Sequence, residues 1–329
     1  MLEHGGQLRE AAAHYRIPRE NWLDLSTGIN PTAWPVPTLS MACWHRLPES
    51  DDGLEAAAAD YYGNTNLLPV AGSQAAIQLL PMLLPRAVVA CISPIYAEHP
   101  KAWSQAGHRL RFLQNALLPR ALSAATPYVL LCNPNNPTAD RHPQAIALDA
   151  AKQLNKRGGW LIVDEAFIDT TPDDSLTPLA GTDEAPNLIV LRSLGKFFGL
   201  AGARLGFLFA APEIRRKMAE LMGPWTVAGP AREAGRLALR DTNWQKTMRP
   251  QLLAASQRLV ALLTPFGEVK STALFAALTT AHSSELHEFL ATRGILTRRF
   301  EQQPLLRLGL PGHESEWERL SNALNAWKP

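Results

Sequence analysis

Short apolar segments alternate with amphipathic segments along the middle of the chain, from about residue 67 to residue 210. A short apolar run bounded by turn residues is typical of a strand that is buried on both faces of a parallel sheet. Apolar positions that recur every three or four residues predict helices between such strands. The predicted strands are residues 86–92, 128–132, 160–163, 187–191 and 202–210, and the predicted helices include residues 73–84, 143–156 and 212–221.

The pattern changes after residue 223. Two long amphipathic helices are predicted over residues 230–240 and 243–263, with a polar break and cap between them. The remainder alternates again, which predicts a small α+β domain. We therefore expect an α/β fold in which helices flank a mainly parallel central sheet. The predicted divisions are an N-terminal arm and linker at residues 1–37, a large domain at 38–228 and a small C-terminal domain at 229–329.

Composition narrows the possible partners of this chain. Its 329 residues, 46% of them hydrophobic, are enough for one large or two medium packed units. The net charge is +2 and the basic residues form no runs, which argues against a nucleic-acid-binding surface. The cysteines and histidines show no metal-ligand spacing, and no disulfide framework or metal site is predicted. The sequence shows no secretory signal and no apolar stretch long enough to span a membrane, so we expect a cytoplasmic protein.

The strongest chemical signal is a lysine at the end of a predicted buried strand. Lys196 stands among glycines and apolar residues. Partial desolvation disfavours the charged form of an amine and makes it a usable nucleophile for a Schiff base. Upstream, Asp164 follows another predicted strand, at the edge where open α/β sheets bind ligands. Pyridoxal phosphate needs a lysine for its aldehyde and an acid facing its ring nitrogen, so the pair predicts this cofactor.

Simpler interpretations of the two residues stay open. Lys196 could contact a phosphate or have a structural role, although Val190 stands where a P-loop would need glycine. Asp164 could be an ordinary hydrogen-bonded carboxylate at a strand end. We favour Asp164 over Glu165 because adjacent residues of a strand point to opposite faces.

Four further segments offer candidate cofactor contacts. Arg204 and Ser193 could both reach one phosphate group, and the helix that begins at Ser73-Gln74 has backbone N–H groups suited to an anion. Asn136 could hydrogen-bond a ring oxygen, and Tyr96 could stack on the ring. Each also has a simpler explanation: a surface arginine, a turn serine, an ordinary turn or a core aromatic residue.

With these residues identified, the chain resembles the fold-type I pyridoxal phosphate enzymes of the aminotransferase class. Within that class it most resembles the cobalamin-biosynthetic threonine-phosphate decarboxylases, which are relatives of the histidinol-phosphate aminotransferases. The class motifs lie at residues 133–138, 164–166 and 193–204. Motifs that are more specific to the decarboxylases lie at residues 4–6, 9–12, 23–26, 29–31 and 164–169.

The resemblance implies a role for each candidate residue. Lys196 would carry the cofactor as a Schiff base, and Asp164 would face the pyridine nitrogen. Tyr96 would stack on the ring. The implied phosphate contacts are Ser73, Gln74, Ser193 and Arg204, and the implied substrate contacts are His4, Gly5, Asn136, Arg298 and Arg307.

Among the substrate contacts, the resemblance gives Arg307 the α-carboxylate. Because Arg299 adjoins Arg298, the choice between these two stays open, and either could be a solvated loop charge. The chain also departs from the family at Gly28, where asparagine is frequent, and at Leu47, where tyrosine is frequent.

The resemblance further implies decarboxylation of O-phospho-L-threonine to (R)-1-amino-2-propanol phosphate in cobalamin biosynthesis, by a homodimer that acts on this phosphorylated amino acid. A histidinol-phosphate-type aminotransferase is the alternative, because the same residues transaminate when Cα–H rather than Cα–COO⁻ is perpendicular to the ring. A non-catalytic module that binds pyridoxal phosphate is a further alternative.

Overall fold

The computed structural model describes residues 4–114, 118–123 and 126–328. Its helices are α1 Leu8–Tyr15, α2 Ala42–His45, α3 Leu54–Tyr62, α4 Ser73–Leu83, α5 Glu98–Gln105, α6 Leu118–Ser123, α7 Gln144–Asn155, α8 Pro212–Met222, α9 Gly229–Arg240, α10 Thr242–Leu263, α11 Ser283–Ala291 and α12 Glu314–Ala326. Its strands are β1 Leu23–Asp24, β2 Leu67–Val70, β3 Val88–Ser93, β4 Arg109–Gln114, β5 Tyr128–Cys132, β6 Trp160–Asp164, β7 Leu188–Ser193, β8 Gly206–Phe209, β9 Glu268–Ser271, β10 Phe275–Thr279, β11 Ile295–Leu296, β12 Arg298–Phe300 and β13 Leu305–Gly309.

The chain divides into two compact units. The first unit comprises Met1–Ala33, Pro137–Ala139 and Thr247–Pro329, and the second comprises Trp34–Asn136 and Asp140–Lys246. The second unit includes α9, because Gly235 on this helix lies against Leu54 and Leu205. The units therefore divide near residue 246, whereas the sequence pattern places a boundary after residue 228. The three-part division of the sequence stays a prediction.

The second unit contains a seven-stranded sheet with the order β2-β8-β7-β6-β5-β3-β4. Neighbouring strands from β7 to β4 in this order are parallel, and β8 is antiparallel to both β7 and β2. An antiparallel neighbour needs only a short connection, whereas parallel neighbours need a long crossover. The predicted mainly parallel sheet is confirmed, with β8 as a reversed strand that starts at Gly206 rather than at residue 202.

The core of this unit explains why most of its strands are apolar throughout. All five residues of β5 are buried, so the strand does not alternate between apolar and polar residues. Helices α4, α5 and α8 bury Ile77, Trp103 and Met218 in one cluster with strand residues such as Leu130. The edge strand β4 differs, because Phe112 is 57% exposed and Arg109 and Arg111 precede it in the strand.

The first unit contains a four-stranded antiparallel sheet with the order β12-β13-β10-β9 and a parallel pair of β1 with β11. Leu23 pairs with Ile295, so a strand from the N-terminal arm joins a strand near the other end of the sequence. Helix α1 packs nearby, with Ala11 in a small cluster that includes Trp22 and Leu296. The C-terminal part therefore has the α+β character that its pattern predicts.

Within the described ranges, no helix is both long and apolar enough to cross a lipid bilayer.

Candidate functional site

Lys196 lies in the turn that follows β7, at the carboxyl end of the parallel strands. Gly199 donates its backbone N–H to the Lys196 carbonyl at 3.2 Å. The Lys196 amine lies 5.4 Å from the centroid of the Phe167 ring, and that ring is 5% exposed. Lys196 is half-buried and its amine lies near an apolar ring, a setting in which a partly desolvated amine can react with an aldehyde.

Asp164 ends β6 and is 6% exposed. One carboxylate oxygen, Oδ2, lies 2.9 Å from Nε2 of His99, and the other accepts the backbone N–H of Ala166 at 3.0 Å. Glu165 points elsewhere, because its carboxylate accepts hydrogen bonds from Ser175 and from the backbone of Leu176. The structure therefore separates these adjacent carboxylates, as the alternation of side chains along a strand predicts.

His99 is a site residue that sequence reasoning missed. It lies on α5 with 1% of its surface exposed, and no spacing in the sequence links it to Asp164. The available signal was weak: a histidine on the buried face of an amphipathic helix, next to a strand in space but not in sequence.

Cys132 completes a buried group with His99 and Asp164, and their ligand atoms all lie within 4.8 Å of one another. Such a group could in principle hold a metal ion. Burial raises the pKa of the Cys132 thiol well above its usual value, and the nearby Asp164 charge raises it further. Because His99 already contacts the Asp164 carboxylate at 2.9 Å, we interpret the group as the surroundings of that carboxylate.

The start of α4 lies close to the start of β8, and we call this place, with Gly72, Ser73, Arg204 and Gly206, the phosphate corner. Gly72 has φ +72°, and a Cβ there would lie 2.5 Å from Nη2 of Arg204. A Cβ on Gly206 would lie 2.5 Å from the backbone nitrogen of Ser73, and Gly206 pairs with Ser193 in the sheet. Because neither glycine has a side chain, the N-terminus of α4 approaches Gly206, the sheet partner of Ser193, and the Arg204 guanidinium approaches Gly72. This donor set fits the phosphate of pyridoxal phosphate.

Tyr96 and Gln74 are hydrogen-bonded to each other. The Tyr96 hydroxyl donates to Oε1 of Gln74 at 3.3 Å, and Nε2 of Gln74 donates to Glu98 at 3.1 Å. The Tyr96 ring meets His99 edge-on, with the centroids 6.1 Å apart. Tyr96 therefore connects the start of α4 with the Asp164 end of the sheet, which is where a ring-stacking residue would have to lie.

The asparagines that follow β5 have different roles. Asn133 donates its backbone N–H to the Asp164 carbonyl at 2.9 Å, and the Asn135 side chain donates to Pro94 at 2.8 Å. These two asparagines brace the loop. The half-buried Asn136, together with Tyr96, contributes a backbone hydrogen bond to the Cys132 thiol. Asn136 is thus brought to the same strand end as Asp164.

The candidate substrate residues other than Asn136 lie in the first unit. Gly6 donates its backbone N–H to Oγ of Ser26 at 2.7 Å, and a Cβ on Gly5 would lie 2.3 Å from the Ser26 carbonyl oxygen. That same carbonyl accepts a hydrogen bond from Nη2 of Arg307 at 2.9 Å. The structure therefore brings the start of the arm, with the half-buried His4, to Arg307.

Arg298 and Arg307 are directly opposite each other on the antiparallel strands β12 and β13. Residues in that position have their side chains on the same face of a sheet. Arg299 points to the other face and pairs with Glu301 at 3.1 Å. This geometry favours Arg298 over Arg299 as a partner of Arg307 in binding an anion.

The sequence pattern of the family described as aminotransferase class I and II matches residues 22–324. The chain is 52% identical to a threonine-phosphate decarboxylase of Pseudomonas aeruginosa, with 100% of this chain and 98% of that protein covered. It is 40% identical to a threonine-phosphate decarboxylase of a Sinorhizobium species, with 98% and 97% covered. Its fold is similar to that of the histidinol-phosphate aminotransferase of Clostridium acetobutylicum, with a TM-score of 0.81, 21% identity, and 92% of this chain and 98% of that one covered.

Proposed function

Because the chain belongs to the aminotransferase class I and II family, we propose that it is a pyridoxal phosphate-dependent decarboxylase of fold type I. Its substrate is O-phospho-L-threonine and its product is (R)-1-amino-2-propanol phosphate, for cobalamin biosynthesis. The observation that carries the proposal is the placement of Lys196, Asp164 and the phosphate corner at strand ends of one sheet. The names of the relatives that match the whole chain support the choice of substrate.

The cofactor is held by residues of the second unit. Lys196 would hold the aldehyde end of the cofactor, Asp164 would face its ring nitrogen, and Arg204, Ser73, Gln74 and Ser193 would hold its phosphate. When bound, pyridoxal phosphate supplies a conjugated ring that accepts the electron pair of the bond broken at the substrate Cα. His99 keeps the Asp164 carboxylate in place through the 2.9 Å contact.

The substrate carries a carboxylate and a phosphate, and both need cationic partners. Like charges that are directly opposite on a sheet destabilise it, so the Arg298–Arg307 pair is favourable when an anion binds between or beside the two guanidinium groups. Arg307 binds the α-carboxylate and orients the Cα–COO⁻ bond for cleavage. After CO₂ leaves, either the Lys196 amine, which is freed when the substrate binds, or a water would protonate Cα.

The proposed activity is tested by incubating the enzyme with phosphothreonine and measuring both CO₂ release and amino transfer to 2-oxoglutarate. We expect CO₂ release by the wild type and by Lys217→Ala, which removes a surface lysine paired with Glu213. Lys196→Ala should lose at least about a thousandfold in rate, because the covalent nucleophile is gone. Amino transfer without CO₂ would select the aminotransferase, and cofactor binding without any turnover would select the non-catalytic module.

The enzyme acts as a homodimer in this proposal. Met41, Trp44 and Leu47 are 61%, 61% and 62% exposed and lie in or beside α2, and we call them the α2 patch. Clustered exposed hydrophobic residues often mark a protein–protein interface.

The proposal also places the enzyme in the cytoplasm. Its three free cysteines fit this location, because reducing compartments keep thiols unpaired.

A further inference from the structure

Arg192 lies in a buried ion cluster directly before Ser193, and its side chain is 2% exposed. Nη2 donates to Oδ1 of Asp169 at 2.7 Å, and Nη1 lies 3.3 Å from Oε2 of Glu165. The guanidinium also donates to Oγ of Ser175 at 2.9 Å and to Oγ1 of Thr177 at 3.1 Å. Its central carbon lies 4.5 Å from the centroid of the Tyr62 ring. We call these six residues the Arg192 cluster.

The Arg192 cluster joins the ends of the two strands that carry the main candidate cofactor residues. Glu165 follows Asp164 at the end of β6, and Arg192 precedes Ser193 at the end of β7. Adjacent side chains of extended backbone point to opposite faces, so the ion pair lies on the face away from Asp164 and Ser193. The Glu165 backbone N–H also donates to the Leu191 carbonyl at 2.9 Å. The ends of β6 and β7 are thus fixed to each other on the face of the sheet opposite Asp164 and Ser193.

The composition of the cluster favours a geometric role over a stabilising one. One guanidinium faces two carboxylates, and burial raises the pKa of Glu165 while Arg192 opposes that shift. Because desolvation offsets much of the attraction, replacing a buried ion pair by apolar residues is often neutral or stabilising. A planar guanidinium with several fixed donors nevertheless holds its partners in one arrangement.

We propose that Arg192 is a positioning residue, which holds Glu165 and Asp169 and thereby fixes the Asp164 carboxylate relative to the Lys196 amine. Arg192 does not touch the substrate and acts through the backbone of β6 and β7. The proposal rests on the proposed function, since a cofactor held by both groups needs them at one fixed spacing. A misplacement of about 1 Å can lower a rate about a hundredfold.

The variant Arg192→Lys tests this proposal, because it keeps the charge and loses the planar donor geometry. The apoprotein is mixed with pyridoxal phosphate, and the rate of Schiff-base formation is followed by visible absorbance, together with the melting temperature, kcat and KM. We expect Schiff-base formation and kcat to fall about tenfold or more, with KM little changed. The matched control is Arg232→Lys, whose 7% exposed arginine binds Asp52 and Glu55 instead of a strand end.

The proposal is overturned if Arg192→Lys forms the Schiff base as fast as Arg232→Lys at a similar loss of melting temperature. If Arg192→Lys does not fold, Asp169→Asn decides by the same measurement, because it removes one of the two carboxylates from the cluster. A slower Schiff base in that variant supports the proposal, and an unchanged rate overturns it. A wild type that forms no Schiff base would refute the proposed function itself, so the two failures are distinguishable.

Discussion

His99 shows how one side chain can fix the position of another, the Asp164 carboxylate, that is far away in the sequence. Its imidazole lies 2.9 Å from the Asp164 carboxylate, and both groups are buried. A hydrogen bond to a charged group contributes about 1.5–3 kcal/mol. Removing the imidazole should therefore leave the carboxylate less well placed for a ring nitrogen.

We expect His99→Asn to lower kcat for decarboxylation about tenfold to a hundredfold, the rate equivalent of that hydrogen bond. The control is His108→Asn, because His108 is 5% exposed and binds the Pro81 carbonyl at 2.8 Å rather than Asp164. The control should lower the melting temperature and leave kcat nearly unchanged. Equal losses of kcat in both variants would show that the Asp164 contact is unimportant.

The sequence revealed those residues whose chemistry requires a particular type at a particular place. Lys196 and Asp164 could be proposed because each follows an apolar run that predicts a strand end. His99 and Cys132 could not, because their proximity to Asp164 depends on the packing of α5 and on the β5–β6 register. Contacts between distant segments leave no spacing in the sequence.

At the scale of elements, the junction between β2 and α4 should control the affinity for the cofactor phosphate. Gly72→Ala places a Cβ 2.5 Å from Nη2 of Arg204 and forces alanine into φ +72°, ψ 156°. We expect a stability loss of about 1–3 kcal/mol from the backbone strain. We also expect roughly tenfold weaker pyridoxal phosphate binding, about 1.4 kcal/mol, measured by titrating the apoprotein.

Gly223→Ala is the matched control for that variant. Gly223 has φ 73° and ψ −175°, and a Cβ there would meet no atom within 4 Å. It should show a similar loss of melting temperature and the cofactor affinity of the wild type. Weaker binding in the control would mean that strain alone, and not the position of Arg204, determines the affinity.

The β12–β13 pair should determine substrate affinity. Arg298→Gln removes one of two opposed guanidinium groups, and we expect KM for phosphothreonine to rise about tenfold to a hundredfold, as for loss of a charge-assisted hydrogen bond. The melting temperature should change by no more than a few degrees, because removal of the repulsion offsets the lost contact with the Phe300 ring. Arg299→Gln, on the other face, should leave KM within about twofold. A larger effect from Arg299→Gln would reverse the assignment.

Elements were predictable where their pattern was strong. Residues 143–156 predicted α7, observed at Gln144–Asn155, and residues 128–132 match β5. Strand β4 was missed because an edge strand need not be apolar, and its sequence alternates arginine with apolar residues. The start of β8 was predicted too early, because Ala201–Ala203 form a 3₁₀ turn and Arg204 has φ 52°.

At the scale of the whole molecule, the α2 patch should determine the oligomeric state. We expect Trp44→Glu and Leu47→Glu to convert a dimer into monomers, because a buried, unpaired carboxylate costs several kcal/mol. Light scattering after size exclusion measures the mass. Phe112→Glu is the control, since Phe112 is 57% exposed on the edge strand β4. A wild type that is monomeric at micromolar concentration would refute the homodimer.

The sequence pattern could not predict which segments of the chain form each of the two units. The pattern treats residues 1–37 as an arm and linker, yet β1 pairs with β11 and places the start of the sequence with Thr247–Pro329. Two-residue strands have too little periodicity to be recognised, and only their partner identifies them.

The reversed strand β8 has a consequence for synthesis on the ribosome. Strand β2 pairs with β8. The backbone groups of Leu67 therefore cannot make their sheet hydrogen bonds until Phe209, roughly 140 residues later, has been synthesised. Arg204 emerges at the same stage. A nascent chain that ends before Phe209 should therefore be unable to bind vitamin B6 phosphate. The unpaired edge of β2 in such a chain would remain accessible to chaperones until Phe209 has been synthesised.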